Sequence, residues 1–567
     1  MKTYKVRQIP NEETRDNLKG FSDVVAHLLI ARGIATSTDA KSFLSPMYDE
    51  GYYNPFLLEG MDKATTRLID AIEKKENICV FSDYDADGIP GGVLFFDFLK
   101  AAGHTHFFNY IPDRQEEGFG LSQKAIEECQ KKGVTLLITI DCGITDVEEV
   151  AFAKGCGIDV IITDHHLPKE TLPDAFAIIN PKISPQYPDQ MICGAAVAFK
   201  LVQGVLQKNR FGIKIGAEKW WLDMVGIATL SDMVPLVNEN RVFAHFGLVV
   251  LRKSKRLGLQ RLLSKIKVNQ KTLTEDDVGF MITPRINAAS RMGYAYDAFR
   301  LLTTTDEAEA EELAGHLEKI NTERKSVSAH LSKEVRKAIE AKYSPYFNNK
   351  VIVAGSPSWS PSLLGLVAGN IAESESKPVF LWGREGVTPS LKGSCRSVGG
   401  VSVTDILSQV SPTVLLDFGG HHQAGGFSIA YDAVHLLEEE IEKAYEREAK
   451  EFQIPEVLVD FSLETDLVSS KMLQEIETLA PFGIANPKPL FLFPNSFVIE
   501  VTFFGKEKNH LKVLLEKQGR PLEAICFFVH PDMVKKIEKG NRYTFVGNLE
   551  RNFFGVNSIR VRIVDVL

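Results

Sequence analysis

Four short apolar runs place the strongest constraint on how the first half of this chain folds. Between residues 77 and 250, short apolar segments alternate with stretches of helical pattern. The runs are ICVFS (78–82), TLLITI (135–140), DVIIT (159–163) and FAIIN (176–180). Nearly continuous apolar strands separated by helices are typical of a parallel sheet that is covered on both faces. The sequence therefore predicts an α/β domain over residues 76–250.

The chain of 567 residues is too long for one hydrophobic core, so further domains are expected. We predict a mostly helical lead-in over residues 1–75, a helical connector over 251–345, a smaller α/β domain over 346–455 and a C-terminal domain over 456–567. The smaller α/β pattern has apolar runs at 351–355, 378–382 and 413–418 and a helix near 363–373.

Two periodic patterns define the connector and the tail. An apolar stripe at spacings of three, four and seven predicts one long helix, formed by Leu313, Leu317, Ile320, Val327, Leu331, Val335 and Ile339. Five β-like runs occupy 496–504, 510–516, 522–528, 542–549 and 558–566, with a short helical stretch at 531–538. Five strands in so short a span predict an OB-type β-barrel.

Acidic residues and histidines stand where the first three apolar runs end. The first run leads into Asp83, Asp85 and Asp87, the second into Asp141, and the third into Asp164-His165-His166. The ends of parallel strands lie along one edge of a sheet, which is where open α/β sheets bind ligands. Carboxylates packed this closely repel one another unless protons or cations lie between them. Oxygen-rich sites with one or two imidazoles suit Mn²⁺ or Mg²⁺.

Asp232 follows an apolar helical segment and could complete this cluster. Each residue also has a simpler interpretation: an Asp after a strand is commonly a helix N-cap, and a His-His pair is commonly a surface or packing pair. The D-x-D-x-D spacing resembles part of a calcium loop, but it lacks that motif's bidentate Glu and flanking helices. Three strand ends with the same chemistry favour a metal site.

The net charge of -9 argues at first sight against a nucleic-acid partner. A metal site concentrates acids, however, and DNA contact needs only a local basic surface. One basic run without acids contains Arg252, Lys253, Lys255, Arg256, Arg261, Lys265, Lys267 and Lys271. Such a run could track DNA, or it could be a solvated face.

The tail supplies a second basic region. Residues 501–567 contain twelve Lys and Arg against seven Asp and Glu. Phe503, Phe504, Phe553 and Phe554 lie in the same region, which fits an OB-fold that stacks DNA bases. Adjacent Phe residues in strands commonly belong half to the core, so we expect one of each pair to be exposed.

The seven cysteines are scattered without a C-x-x-C pair, which argues against a zinc ribbon or a disulfide framework. The first residues lack the apolar segment of a secretion signal, and the sequence has no apolar stretch long enough to span a bilayer. We therefore expect a cytoplasmic protein without membrane contact.

The acidic motifs resemble the DHH phosphoesterase superfamily. Asp83–Asp87, Asp141–Thr145, Asp164–His166 and Asp232 are similar to its four motifs, in the same order. Further segments resemble the RecJ-type single-strand exonucleases within it, namely Ile111–Arg114, Gly118–Leu121, Pro284–Ala289, Gly393–Ser397, Gly419–Gly426 and Leu479–Gly483. The resemblance covers roughly residues 50–567.

This resemblance implies a DHH domain, a connecting helix, a DHHA1 domain and an OB-fold. It implies 5′→3′ degradation of single-stranded DNA to mononucleotides in recombination and repair, with two Mn²⁺ or Mg²⁺ ions. The implied metal ligands are Asp83, Asp85, Asp87, Asp141, His165 and Asp232. The implied partners are single-stranded DNA and a single-strand-binding protein or a helicase, and we expect a monomer.

The chemistry of two-metal hydrolysis and the same resemblance together suggest roles for residues around the metals. Asp141 is the candidate bridge between two ions, and His165 and His166 suit proton transfer or contact with the transition state. The implied substrate contacts are Arg114, Ser394 and Arg396 at the terminal 5′ phosphate, and Arg285, Asn287 and His421 along the backbone.

The sequence departs from the family pattern at a few positions. Ser360 and Ser362 stand where the family usually has His and Gly, and Thr283 and Ser290 replace glycines. Two other functions stay open: a DHH phosphodiesterase of short oligonucleotides or small phosphate substrates, and a non-catalytic DNA-binding scaffold. The small-substrate enzymes usually lack a C-terminal OB-type domain, and a scaffold would have no need of the repelling aspartates.

Overall fold

The computed structural model describes residues 3–8, 15–343, 349–384, 390–398, 400–448, 456–505, 508–529, 537–552 and 559–567. The predicted fold class is confirmed: a parallel-sheet α/β domain, a long connecting helix, a smaller α/β domain and a C-terminal β-barrel. Among the described residues, the helices lack the length and apolarity that crossing a bilayer requires.

The first α/β domain contains a five-stranded parallel sheet. Its strands, in spatial order, are Phe107–Tyr110, Ile78–Ser82, Leu136–Ile140, Asp159–Thr163 and Ala177–Ile179. All four predicted runs are strands. The edge strand Phe107–Tyr110 was not predicted, because it has only four residues and most of them are only partly buried.

Helices cover both faces of this sheet. They are Met61–Glu73, Gly88–Ala101, Gln123–Lys131, Val147–Gly155, Gly194–Lys208, Leu222–Ser231 and Asn238–Leu251. Successive strand residues point to opposite faces, so Ile78 and Val80 lie in one core whereas Cys79 and Phe81 lie in the other. Burial of both faces explains why the runs are continuously apolar.

The connector consists of Leu257–Lys265, the π-helical Asp277–Ile282, Thr283–Met292, Ala295–Thr303 and the long helix Glu307–Tyr343. In the long helix, Leu313 and Leu317 join the core of the first α/β domain, whereas Leu331 and Val335 join a core of the second. Val327 was predicted to be part of the buried stripe, but it is 45% exposed. That prediction is wrong because the helix spans the gap between two cores at this point.

The second α/β domain has a mixed five-stranded sheet. Its spatial order is Leu415–His421, Ala424–Ala430, Ser390–Arg396, Val379–Gly383 and Ile352–Gly355. Its helices are Pro361–Glu375, Val403–Ser408 and Leu437–Glu448. The three predicted apolar runs are all strands. The strands Ser390–Arg396 and Ala424–Ala430 were missed, because they contain glycines, which are typical of turns.

The tail forms a closed barrel, as predicted. Its strands are Phe491–Phe504, His510–Leu515, Leu522–Cys526, Ile559–Val566 and Arg542–Arg551, and the first also pairs with the last. Phe503 is 37% exposed, whereas Phe504 contacts the rings of His510 and Phe527. Phe553, Phe554 and most of the predicted helix at 531–538 lie outside the described residues.

The N-terminal segment packs on the barrel. The helices Asp23–Ile30 and Ser37–Leu44 share a core with barrel strands, and Tyr4–Val6 pairs in parallel with Val457–Val459. The short strand Phe461–Ser462 and the helix Ser470–Glu477 complete this region.

A loop over residues 479–488 attaches the barrel to the first α/β domain. The buried Arg241 guanidinium donates to the backbone oxygens of Leu479 (3.1 Å) and Ala480 (3.2 Å). Its Nε donates to Phe43 O at 2.7 Å. One cation therefore joins the first α/β domain, the N-terminal segment and the barrel.

Candidate metal centre and its cleft

Three strand ends at one edge of the parallel sheet and the end of the helix Leu222–Ser231 bring seven metal-ligand candidates together. Their donor atoms form three groups, each within 4.8 Å. The groups are Asp83-Asp85-Asp141, Asp87-His165-Asp232 and Asp141-His165-His166. Asp141 and His165 each belong to two groups, so the cluster is continuous. The six predicted ligands and His166 are thus neighbours, although their roles as ligands stay a prediction.

Asp87 is fixed by the N-terminus of the helix Gly194–Lys208. Its carboxylate accepts hydrogen bonds from Gly194 N (2.6 Å) and Ala195 N (2.7 Å). A Cβ at Gly194 would lie only 2.5 Å from Cβ of Asp141. The close approach of this helix to the cluster therefore requires glycine. Sequence reasoning missed Gly194, because the contact joins residues far apart in the chain.

Asp141 has an unusual backbone and an unsatisfied side chain. Its φ is 64°, in the left-handed region that Asp tolerates better than most residues. Oδ1 of Asp141 and Oδ1 of Asp83 are buried without a hydrogen-bond partner among the described residues. Such buried acceptors are costly unless something binds them, and a divalent cation satisfies both. The donor set therefore fits a metal.

The charges of the cluster support the same fit. Burial, together with the neighbouring carboxylates, raises the pKa of Asp83, Asp141 and Asp232 well above the ordinary range for an aspartate. Burial and the charge on Asp85 raise the pKa of Asp87 to about 7. These carboxylates can all be ionised near neutral pH only if cations lie between them.

The two histidines have opposite electrostatic environments. Burial and the charge of His166 lower the pKa of His165 well below its usual value, and its Nε2 lies 3.2 Å from Oδ1 of Asp141. A neutral imidazole is the form that binds metals. Burial opposes the charge on His166, but contact with Asp164 prevails and raises its pKa to about 9. Contact with Asp164 therefore favours the protonated form of His166.

Asp164 holds this pair of histidines in place. Its Oδ1 accepts hydrogen bonds from His166 Nδ1 (2.8 Å) and from the backbone of His165 (2.7 Å). Its Oδ2 accepts from Ile144 N at 2.9 Å. Both oxygens are thus engaged by protein groups, so Asp164 orients His166 rather than facing the cluster. Lys182, which the sequence did not single out, donates to His165 O.

Asn287 supports the loop that carries the first three aspartates. Its Oδ1 accepts a hydrogen bond from Ala86 N at 2.9 Å, and Oδ1 of Asp85 accepts from Asp87 N at 2.7 Å. Asn287 thus positions the metal-site loop directly. Its predicted contact with the substrate backbone stays a prediction.

Arg285 lies away from open solvent. It is 3% exposed, its Nε lies 2.8 Å from Glu318 Oε2, and its Nη1 donates to Met281 O at 2.9 Å. These contacts join the helix Thr283–Met292 to the connecting helix. Arg285 thus supports the packing of these two helices. Its predicted contact with the substrate backbone stays a prediction.

The second α/β domain supplies the opposite wall of a cleft. The ring of His421 stacks on the ring of His166, with centroids 6.1 Å apart. Ser394 and Arg396 lie on the strand Ser390–Arg396, against the helix Pro361–Glu375. On the side of the first α/β domain, the Arg114 guanidinium lies over the Tyr84 ring at 5.0 Å.

The basic run of the connector is largely engaged in internal contacts. Arg256 forms ion pairs with Asp97 (2.6 Å) and Asp223 (2.7 Å), Arg261 pairs with Glu307, and Lys265 pairs with Glu311. Arg252 donates to a backbone carbonyl. Half of the predicted run therefore holds elements of the fold together, a role that neither the DNA-tracking nor the solvated-face interpretation included.

Comparisons with known proteins agree with this architecture. Family models for the N-terminal domain of the DHH family, the DHHA1 domain and the RecJ OB domain match residues 77–229, 348–448 and 459–565. The single-stranded-DNA-specific exonuclease RecJ of Bacillus subtilis (strain 168) is 33% identical over 561 residues, which are 97% of this chain and 69% of that protein.

Two further proteins extend the comparison. RecJ of Haemophilus influenzae is 33% identical, over 100% of this chain and 99% of that protein. The crystal structure of RecJ in complex with Mn²⁺ from Thermus thermophilus superposes with a TM-score of 0.83 at 27% identity, over 100% of this chain and 79% of that chain. The chain belongs to the RecJ family of single-stranded-DNA-specific exonucleases.

Proposed function

We propose that this chain is a metal-dependent exonuclease that hydrolyses single-stranded DNA from the 5′ end and releases 5′-mononucleotides, in DNA recombination and repair. The observation that carries the proposal is the position of Asp141, which belongs to two groups of ligand candidates at the floor of the cleft. An acid shared between two cation sites is what two-metal phosphodiester hydrolysis requires.

The residues divide into two sets that would each hold Mn²⁺ or Mg²⁺. Asp83 and Asp85 belong to one set, and Asp87, His165 and Asp232 to the other. Asp141 is grouped with the first set directly and with His165 of the second, so it would join the two sets. Two such ions, when bound, provide an activated water and neutralise charge on the phosphoryl oxygens. The remaining chemistry falls to side chains of the chain itself.

His166 and His421 would act on the reacting phosphate. In this proposal the Asp164 carboxylate, 2.8 Å from Nδ1, favours the protonated form of His166 and fixes the orientation of its ring. A fixed cation beside the cluster stabilises negative charge that develops in the transition state. His421 faces it from the other wall and can contact the same phosphate.

Polarity would depend on a pocket for the terminal phosphate. Arg114, Ser394 and Arg396 are candidates, since guanidinium groups and hydroxyls bind phosphate oxygens. A strand whose end is held there could present only its first phosphodiester to the metal centre. Release of one nucleotide at a time follows from this arrangement.

The barrel would hold the rest of the strand. Phe503 is exposed on it and could stack on a base. We also propose a monomer, with a helicase or single-strand-binding protein as the partner that exposes or delivers the strand. We also propose domain limits at 1–75, 76–250, 251–345, 346–455 and 456–567.

Digestion of a long single strand, labelled at one end or the other, tests the proposal. We expect Mn²⁺-dependent release of mononucleotides from the 5′ label first, and no release with a chelator. Release from the 3′ label first would overturn the polarity. Cleavage of dinucleotides alone, with long strands intact, would instead indicate a phosphodiesterase of short substrates.

A further inference from the structure

Lys182 is a cation beside the metal centre that neither the sequence motifs nor the proposed mechanism uses. It belongs to the short 3₁₀ turn Pro181–Ile183, which follows the edge strand Ala177–Ile179. Its side chain is half-buried, and its Nζ donates a hydrogen bond to the backbone oxygen of His165. An ammonium group has three N–H donors, so two remain for a further acceptor.

Acids do not neutralise Lys182 by direct contact. Among the described residues, no carboxylate forms a salt bridge with it. Burial lowers the pKa of Lys182, and the charges of Asp164 and Asp232 oppose this shift from a longer distance. Burial and the charges of His166 and Lys182 lower the pKa of His421, so Lys182 also acts on the opposite wall of the cleft. A cation with free donors at this place suits a phosphate oxygen.

The order of the parallel sheet places Lys182 and Arg114 on opposite sides of the metal centre. Arg114 follows Phe107–Tyr110, the strand at one edge, and Lys182 follows Ala177–Ile179, the strand at the other edge. The strands that lead into the metal cluster lie between them. Four strand spacings of about 4.8 Å, or about 19 Å, separate the two edges. A nucleic-acid strand that crosses this width has several phosphates along the sheet edge.

The barrel is attached to the first α/β domain on the Lys182 side. The segment after Lys182 leads to Met191, whose backbone oxygen accepts a hydrogen bond from Asn240 Nδ2 at 2.8 Å. The next residue, Arg241, donates to the loop of the barrel. In the proposed function the first phosphodiester lies at the metals and the rest of the strand leads to the barrel. The strand therefore passes Lys182 on the 3′ side of the cleaved bond.

We propose that Lys182 binds the backbone phosphate that follows the scissile one on its 3′ side, and thereby positions the first phosphodiester at the metal centre. The inference rests on the proposed function. A contact with phosphate carries no sequence information, so it serves an enzyme that digests any strand. The hydrogen bond to His165 O fixes the ammonium group relative to the backbone of a metal-ligand candidate. The phosphate that it binds is thus held at a set distance from the cluster.

Removal of one charge from the DNA tests the contact. Two strands with a 5′ phosphate are compared, which carry either a natural phosphate or an uncharged methylphosphonate at the second internucleotide linkage. Release of the first nucleotide with Mn²⁺ is measured for the wild type, Lys182→Met and Lys182→Arg. We expect the methylphosphonate to lower kcat/KM of the wild type by about tenfold, as for loss of a charge-assisted hydrogen bond. It should leave Lys182→Met nearly unaffected, whereas Lys182→Arg, which keeps the charge, should respond as the wild type does.

The ratio of the two rates distinguishes this contact from a structural role. In Lys182→Met, Asn180 Nδ2 still donates to His166 O at 3.0 Å, so the backbone of the histidine pair keeps one support. A structural role would lower the rates on both strands equally and leave the ratio as in the wild type, which would overturn the inference. Lys208→Met is the matched control, because Lys208 pairs with Asp62 at 2.7 Å at the far end of the helix Gly194–Lys208. Its ratio should equal that of the wild type.

Binding without hydrolysis separates this inference from the proposed function. A strand whose first linkage is a methylphosphonate is bound in the presence of Mn²⁺ at several salt concentrations. We expect the slope of log K against log salt to be smaller by about 0.7 in Lys182→Met, as for loss of one phosphate contact on a single strand. An unchanged slope would overturn the inference. A smaller slope in the variant, together with a wild type that releases no nucleotide from the 5′ end, would instead overturn the proposed function and retain the phosphate contact.

Discussion

The imidazole rings of His166 and His421 stack across the cleft, with centroids 6.1 Å apart and planes inclined by 22°. His166 follows a strand of the first α/β domain, and His421 ends a strand of the second. The two rings therefore form a contact between two domains that have separate cores.

His421→Ala should lower kcat for DNA hydrolysis by about a hundredfold, the lower end of what a proton-transferring or transition-state group contributes. The measurement is single-turnover digestion at saturating strand and Mn²⁺. His422→Ala is the control, since the neighbouring imidazole is exposed and its backbone oxygen accepts a hydrogen bond from Val403 N at 2.8 Å, which the change preserves. Equal losses in the two variants would argue against a specific role for His421.

Asp141→Asn should abolish hydrolysis and yet raise the Tm of the chelator-treated protein. Asparagine tolerates the left-handed backbone at this position, and its neutral amide removes one charge from a cluster of repelling, buried acids. Thermal unfolding with chelator and with Mn²⁺ measures both effects. A lower Tm with chelator would contradict the account of the charges. Asp70→Asn, at an exposed ion pair, is the matched control.

Gly194→Ala should reduce Mn²⁺ affinity and turnover by at least about tenfold. The added methyl group would lie 2.5 Å from Asp141 Cβ, so the helix or the acid must shift and the Asp87 hydrogen bond must lengthen. A shift of this kind in a ligand's support typically costs about 10–100-fold in metal affinity. Gly155→Ala is the control, because a Cβ there meets no atom within 4 Å. Unchanged Mn²⁺ affinity in Gly194→Ala would show that the site can expand.

Metal binding should stabilise the folded protein measurably. At about 100 times its Kd, a ligand that binds only the folded state adds about 2.7 kcal/mol to the free energy of unfolding. We expect the Tm to rise on titration with Mn²⁺ and to fall back with chelator. A Tm that is insensitive to Mn²⁺ would be incompatible with a cation site built from these acids.

Arg241→Met should loosen the barrel from the first α/β domain. The change leaves the half-buried carbonyl of Ala480 without this donor, at a cost of about 1–3 kcal/mol, whereas the carbonyl of Leu479 keeps its hydrogen bond from Asn486 Nδ2. Limited proteolysis should then cut near residues 479–488 sooner than in the wild type, whereas Arg300→Met should behave like the wild type. Identical digestion patterns would show that other contacts are sufficient to hold the barrel against the first α/β domain.

The sequence predicted the metal centre better than the cleft above it. Strand ends can be recognised in the sequence, because a continuous apolar run stops at Asp83 or Asp141. Parallel strands end at one edge of their sheet, so these acids could be expected to lie together. Gly194 and Asn287 support those acids from distant parts of the chain, and the residues next to them in the sequence do not indicate this role. The strand that carries Ser394 and the partner strand of His421 were missed, because glycines that allow close packing between strands resemble glycines of turns.

The same limit applies to the arginines. Arg285 stood out through a motif, but its 3% exposure and its bond to Glu318 could be found only in three dimensions. Arg291 attracted no attention in the sequence, since a single arginine near a helix end is an ordinary favourable feature. Its Nη1 donates to the backbone oxygen of Ser362, which is seventy-one residues away in the sequence.

The connecting helix restricts which insertions this protein could tolerate between its two α/β domains. It has 37 residues, about 55 Å at 1.5 Å per residue, and each end is embedded in a different core. Inserting one residue near Val327 would turn one wall of the cleft about 100° relative to the other and separate His421 from His166. Inserting seven would nearly restore the angle, about 20° short of two full turns, while moving the walls about 10 Å apart. Catalysis in this protein therefore depends on the rotation and the distance that the number of residues in this one helix sets between the two domains.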